Sequence, residues 1–426
     1  MCTKISLYCH KIDELCINKV PITFKYLLTI IPMKKSLLIF TCIIFSLIIS
    51  AGNRISNKEI QQTLDFSKEQ SMRLYKVMQG KKGLLPRTID DKGQLITSND
   101  RWWTSGFFPG TLWYLYEYSE DNNLKDAAIE MTNRVIQQQY TTNNHDVGFM
   151  IYCSFGNGLR ITGNKTYAPV IINAAKSLST RFNPTTGCIR SWDNKKWQYA
   201  VIIDNMMNLE LLTNATRISG DSSFYNIAVS HASTTINNHF RPNGSSYHVV
   251  SYDTIKGGHV ARQTFQGSHD ESAWARGQAW GLYGYVMMYR ETKKKEYLQH
   301  AIKIANYIMH HKHLPEDKIP YWDFDAPDIP NTLRDASAGA IMASAFLELS
   351  TFLDKKAGKP YFNIGQAQLK SLMSPAYLAK PGENGNFILK HSVGFMAKNN
   401  EVDVPLTYAD YYFIEALLRY QKLVQK

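Results

Sequence analysis

AWARGQAWGLYGYVMMYR, residues 273–290, has no polar face. Wound at 3.6 residues per turn, its Ala, Gly, Met and aromatic side chains fall on every side, so a helix here must be covered all round. Five more stretches share this character: 106–118, 147–161, 205–218, 336–352 and 409–424. Between them lie segments with a single apolar stripe, in which a Leu or Tyr is followed by Ala three to seven positions on. Leu124 with Ala127, Tyr167 with Ala174, Tyr225 with Ala228, Tyr297 with Ala301 and Tyr361 with Ala367 mark them. With 59–79 as the first of this striped type, six outer helices alternate with six inner ones. Repeated helical hairpins bury a continuous core only by stacking on their neighbours. The expected fold is therefore all-α, an (α/α)6 barrel closed as a six-hairpin toroid.

Connections sort by length. Those from inner to outer helix are short (119–123, 162–165, 219–222, 291–295), and those from outer to inner are long (80–103, 183–203, 241–272, 313–334, 375–407), with 141–145 as a short exception. Long loops on one rim are where sites sit. That rim collects the inner-helix starts near Trp103, Asp146, Asp204, Trp274, Asp335 and Tyr408. A small β-hairpin is expected around 247–252.

No Pro-rich, Gly/Ser-rich or charged linker divides the chain, so residues 53–426 are read as one domain. The first residues differ. Met33-Lys34-Lys35 precedes an apolar run from Leu37 to Ile49 and then Ser50-Ala51-Gly52, the order of a secretory signal peptide and too short for a span of roughly 20 residues. Residues 1–32 are read as a start-site extension and 33–52 as the signal. The mature chain is expected to be exported, periplasmic in a Gram-negative cell, with no stable membrane insertion. Cys42 sits deep in the run and is poorly flanked by small residues, which leaves a lipid anchor as the lesser alternative. Four of six cysteines precede residue 53, and Cys153 and Cys188 alone make no disulfide framework.

The net charge of +12 falls to +8 without residues 1–52, which hold six lysines and two acids. That excess suits small acidic ligands. No basic helix stripe, zinc-finger spacing or RNA-binding motif occurs, so nucleic acid is not an expected partner. No phosphate loop or nucleophile elbow occurs either. Met309-His310-His311-Lys312-His313 ends an outer helix without a carboxylate or Cys at ligand spacing, and reads as a solvated turn; no metal is expected.

On the rim, Asp146 and Asp204 each open an inner helix, a position where aspartate serves as a cap. Two carboxylates facing one aromatic cavity would instead push their pKa values apart and leave one protonated as an acid. His145, Trp103, Gln266, Arg276, Trp274 and Trp280 lie on the same rim. Arg276 and Trp280, at i and i+4, share a helical face suited to a sugar acid, the guanidinium taking the carboxylate and the indole the ring. Alternatively Arg276 pairs with Asp270 or Glu271 and Trp280 is core.

Trp103-Thr104-Ser105-Gly106-Phe107-Phe108-Pro109-Gly110, His145-Asp146-Val147-Gly148-Phe149, Asp204-Asn205-Met206-Met207-Asn208, the 264–281 stretch and Val402-Asp403-Val404-Pro405-Leu406 before Tyr408-Ala409-Asp410-Tyr411-Tyr412 resemble, in order, glycoside hydrolase family 88, the unsaturated glucuronyl hydrolases. The resemblance covers residues 55–426. Phe395 stands where that pattern has a histidine. It implies the six-hairpin barrel and an unusual reaction, hydration of the C4=C5 double bond of the terminal unsaturated uronic acid that a lyase leaves on a glycosaminoglycan oligosaccharide. Asp204 would be the acid and base, and Asp146 the second carboxylate. Trp103, His145, His248, Thr264, Gln266, Arg276, Trp280 and Ser392 would hold the sugar. No cofactor is implied. The rivals are an unsaturated rhamnogalacturonyl hydrolase on the same barrel, a non-catalytic carbohydrate-binding protein and a conventional inverting hydrolase.

Overall fold

Ser56 opens the first helix with a capping box: its hydroxyl takes the Glu59 N–H while the Glu59 carboxylate takes the Ser56 N–H. The computed structural model describes residues 54–425, so the expected extension 1–32 and signal 33–52 lie outside the described residues. Among these, twelve α-helices run in alternation. The outer ones are α1 (Asn57–Gln79), α3 (Asn122–Asn133), α5 (Ala168–Ser179), α7 (Ser222–His239), α9 (Lys295–Met309) and α11 (Lys355–Leu372). The inner ones are α2 (Phe107–Ser119), α4 (Asn157–Thr162), α6 (Leu209–Ser219), α8 (Ala275–Thr292), α10 (Ala336–Ser350) and α12 (Thr407–Val424). A π-helical run, Gly148–Gly156, leads into α4, and a 3-10 turn, Ile203–Asn208, into α6.

Each inner segment touches the next, and α12 returns to α2, which closes the ring. The outer helices lie over the seams; α1, for example, packs on both α2 and α12. Burial follows the sequence pattern. Every residue of α8 from Ala275 to Met288 is buried, whereas α9 buries Tyr297, His300, Ala301, Ile304, Ala305 and Ile308, one stripe at helical spacing. Close seams require small residues: a Cβ on Gly110 of α2 would stand 2.5 Å from the Cys153 carbonyl oxygen.

The long rim is not bare loop. It carries β1 (Leu84–Ile89) paired with β2 (Leu95–Asn99), β3 (Phe182–Asn183) with β4 (Cys188–Ile189), a sheet of β5 (Ala200–Ile202), β6 (Val249–Tyr252) and β7 (His259–Gln263), and β8 (Ser392–Phe395) with β9 (Asn400–Val404), all antiparallel. Only the β6 region was expected. The short exception at 141–145 also disappears, because α3 stops at Asn133 and a 3-10 turn, Ile136–Tyr140, precedes the connection. At the opposite mouth charges close on one another. Arg290 bridges Glu348 at 2.8 Å and also Glu210, and Arg419 bridges Glu348 at 2.9 Å and Glu415 at 3.3 Å. Cys153 and Cys188 are separate, buried and free.

Candidate active site

Neither Asp146 nor Asp204 caps a helix. Asp121, Asp221, Asp335 and Asp354 do, each taking a backbone N–H two residues on, but the helices after Asp146 and Asp204 begin without a side-chain cap. Both instead line one cavity of 160 Å³ at the long-loop mouth, with Trp102, Trp103, His145, Trp192, Phe265, Gln266, Arg276, Phe395, Glu401 and Tyr408 among its walls. This is smaller than the roughly 300–1,000 Å³ of a usual ligand pocket, and fits a terminal sugar rather than a chain. A cavity of 630 Å³ at the far mouth is larger, but its Arg160, Arg290 and Arg419 are already paired with Glu117, Glu210 and Glu415.

Burial pushes the Asp204 carboxyl up to about 7; the Arg276 charge opposes the rise and the Asp146 charge adds to it. Burial likewise lifts Asp146 to about 7, against the Asn144 amide and the Arg181 charge. Desolvation, more than the like charge expected from the sequence, is what keeps a proton here near neutrality. Oδ2 of Asp204 has no hydrogen-bond partner. The Trp280 indole N–H lies toward this carboxyl and eases its pKa down without reaching hydrogen-bond geometry.

His145 and His248 are buried and neutral, each lowered to about 3, chiefly by desolvation. Nε2 of His145 is 3.4 Å from Asp146 Oδ1, and Nε2 of His248 is 3.6 Å from Asp204 Oδ2. Nδ1 of His248 accepts the N–H groups of Phe265 and Gln266 at 3.0 and 3.1 Å, which fastens the 264–267 turn over the acid.

Both terminal nitrogens of Arg276 are committed, though to neither Asp270 nor Glu271, while its buried Nε–H has no partner. Its guanidinium donates to Asp335, to the Val393 carbonyl, to the Gly394 carbonyl at 2.6 Å and to Gln266 Oε1 at 2.8 Å, and it stacks 4.5 Å over Trp274. It thereby ties α8, the start of α10 and β8 together at the cavity wall. Trp280 is completely buried against Phe149 and Tyr412. Thr264 takes the Gly267 N–H at 2.8 Å and shapes the turn rather than the cavity lining, and Ser392 is buried in β8 with its hydroxyl unpartnered.

Several wall residues escaped the sequence reading. Trp192 packs edge-on to Phe265 at 5.3 Å; it sits in the long 183–203 connection, so its place on the rim was the available signal. Glu401, held at φ 56° in β9, pairs with Arg87 at 2.6 Å, and Arg87 covers Trp102 at 3.9 Å. Phe395, already singled out in the sequence, packs on Phe265 at 5.0 Å, with the Lys398 ammonium 4.9 Å from the Phe265 ring centre and 5.2 Å from that of Phe395.

A slot walled by indoles suits the flat face of a sugar, and a buried carboxyl whose pKa is raised to about 7 suits proton transfer to it. Fold and site thus define a glycosidase. The sequence profile of Glycosyl Hydrolase Family 88 matches residues 85–304, and the chain belongs to that family. It is 50% identical over 327 residues to an unsaturated glucuronyl hydrolase of Formosa agariphila, covering 76% of this chain and 81% of the relative. A solved unsaturated glucuronyl hydrolase specific for heparin superposes with a TM-score of 0.84 at 48% identity, over 87% of this chain and 99% of the other. A mutant of the Streptococcus agalactiae enzyme complexed with dGlcA-GalNAc6S superposes with a TM-score of 0.72 at 28% identity, over 86% and 92%.

Proposed function

We propose that the chain is an unsaturated glucuronyl hydrolase that removes the terminal 4,5-unsaturated uronic acid from lyase-generated glycosaminoglycan oligosaccharides. Half-identity to an enzyme of that name over most of the chain supports the activity. The 48% identity to a heparin-specific enzyme favours heparin-type fragments. The lysine pair and apolar run before residue 53 favour an exported protein. Among the described residues, no helix is long and apolar enough to cross a membrane.

The observation that carries the mechanism is the buried Asp204 carboxyl facing the same slot as Asp146, with desolvation raising its pKa to about 7. Asp204 gives its proton to C4 of the enol ether, and positive charge develops at C5. Water attacks C5 and returns a proton to Asp204. The C5 hemiketal opens and the remaining sugar leaves. One carboxyl thus serves as acid and then base, so the carboxylate-separation rule of ordinary glycosidases has no bearing. Trp103 offers the sugar a ring face, and the Arg276 charge favours a uronate carboxylate beside it.

Hydration abolishes the ultraviolet absorbance of the conjugated enoate, whereas binding alone leaves it. Wild-type protein should bleach unsaturated heparin disaccharides faster than chondroitin or rhamnogalacturonan ones. Asp204→Asn should lose at least about 10³-fold in kcat with its fold intact. A folded Asp204→Asn protein of full activity would remove Asp204 from this role.

A further inference from the structure

The carboxylate missing from the local sequence around His310-His311-Lys312-His313 arrives from fourteen positions beyond His311. Asp325, in the connection from α9 to α10, brings an oxygen within 4.8 Å of ligand nitrogens of both His311 and His313. The structure assigns to His311, His313 and Asp325 a site for one divalent transition ion of the zinc class, which we propose as a feature separate from the sugar slot.

The hydrogen bonds around the three residues suit a metal. Nδ1 of His313 lies 2.6 Å from the Phe324 carbonyl oxygen, which only accepts, so Nδ1 carries the proton and the Nε2 lone pair is free. A ligating histidine anchored through its other nitrogen is the usual outer-sphere arrangement. Among the described residues, the one hydrogen bond to the His311 ring is a 3.3 Å contact from the His313 N–H to Nδ1, and the ring packs against Tyr307 and Phe324. Asp325 spends Oδ2 on the Ala273 N–H at 3.0 Å and keeps Oδ1. All three residues are half-buried, shielded from bulk water yet reachable through an adjoining cavity of 800 Å³ that His311 and Asp325 line.

Two imidazoles and one carboxylate select zinc, nickel, cobalt or copper over magnesium or calcium, which prefer all-oxygen shells. A tetrahedron with zinc bonds of 2.0–2.1 Å has edges of about 3.4 Å, so the ligands must close by on the order of an ångström. Because Asp325 also holds the N–H of Ala273, the residue before α8's cap at Trp274, the ion would fasten the 310–325 connection to the start of the helix that carries Arg276.

The test is equilibrium dialysis of full-length, tag-free protein against zinc, with the visible spectrum of the cobalt-loaded protein as a second readout. One zinc per chain is expected, together with intense cobalt bands of low coordination number. His311→Ala and His313→Ala should each weaken zinc binding at least tenfold. His310→Ala, whose ring faces the Asn306 carbonyl instead, should stay within twofold. Wild-type protein that takes up no stoichiometric zinc, or shows only the pale spectrum of six-coordinate cobalt, overturns the site without recourse to any variant. So does an equal loss in His310→Ala and His311→Ala. Neither readout depends on glycosidase activity, so failure here leaves the proposed hydrolase intact.

Discussion

Nε2 of His248 stands 3.6 Å from Oδ2 of Asp204, and neither atom has a hydrogen-bond partner. Because Nδ1 accepts two backbone N–H groups, the neutral ring carries its proton on Nε2, aimed at the acid. At 3.6 Å that donor does little for a protonated carboxyl. Once Asp204 has given its proton away, the new carboxylate draws it in. His248→Ala removes this donor and unfastens the Phe265–Gln266 turn. A fall in kcat/KM of about 10²-fold is expected, with the alkaline limb of the rate profile moving to higher pH as the carboxylate loses its donor. A drop in rate with an unmoved limb would reduce His248 to holding the turn.

The proposed mechanism requires the proton on Asp204 when substrate arrives, so kcat/KM should fall as pH rises past about 7, where this buried carboxyl gives it up. Asp146 contributes to that position through its charge. Asp146→Asn removes the repulsion, lowers the Asp204 pKa and should bring the alkaline limb down by on the order of half a unit to one unit, since burial remains. Measuring kcat/KM from pH 5 to 9 for both proteins decides it. A limb that moves upward would mean Asp146 acts on Asp204 by something other than its charge.

A buried acid is also a cost to the fold. Asp204 ionises near its ordinary 3.8 when unfolded but near 7 when folded, so between those values the native state holds the extra proton. Raising the pH through that window therefore destabilises the protein: nothing is lost below about 4, and the full penalty is reached above about 7. Asp204→Asn escapes it. The asparagine variant should be the more stable protein at pH 8 by a few kcal/mol, and the two should converge towards pH 4. Chemical denaturation at the two pH values reads this directly; a variant less stable than wild type at pH 8 contradicts the desolvated acid.

Most of this architecture was legible because the two helix types differ in a property that sequence records directly, the width of the apolar face. Residues 273–290 could be assigned to an inner helix without any partner in view. Residues 147–161 could be assigned in the same way, but the π-helical form of Gly148–Gly156 could not, since an apolar run records no turn width. Asp146 and Asp204 could be placed on one rim by connection length, but sequence left capping open until the helix starts proved uncapped. The alternative in which Arg276 pairs locally names the wrong acids for a plain reason. Asp270 and Glu271 are near in sequence, whereas Asp335 is 59 residues away and meets Arg276 only after the barrel closes. Short rim strands such as β3 and β4, two residues each, leave too little alternation to read.

Gly148 shows how little slack the site has. It opens the π-helical run two residues after Asp146, and a Cβ there would stand 2.5 Å from Asn208 Oδ1 and 2.6 Å from Asn208 Cα. The amide oxygen of Asn208 is itself engaged by the Phe149 N–H at 2.9 Å, so it cannot simply swing aside. Gly148→Ala must push apart the segments that carry Asp146 and Asp204. A loss of roughly 1–3 kcal/mol is expected from overpacking, with kcat/KM falling about 10²-fold because small displacements of reacting groups are expensive. Calorimetry beside the absorbance assay separates the two effects. Should the alanine variant keep its rate while losing stability, the spacing between the two acids is not what sets the chemistry.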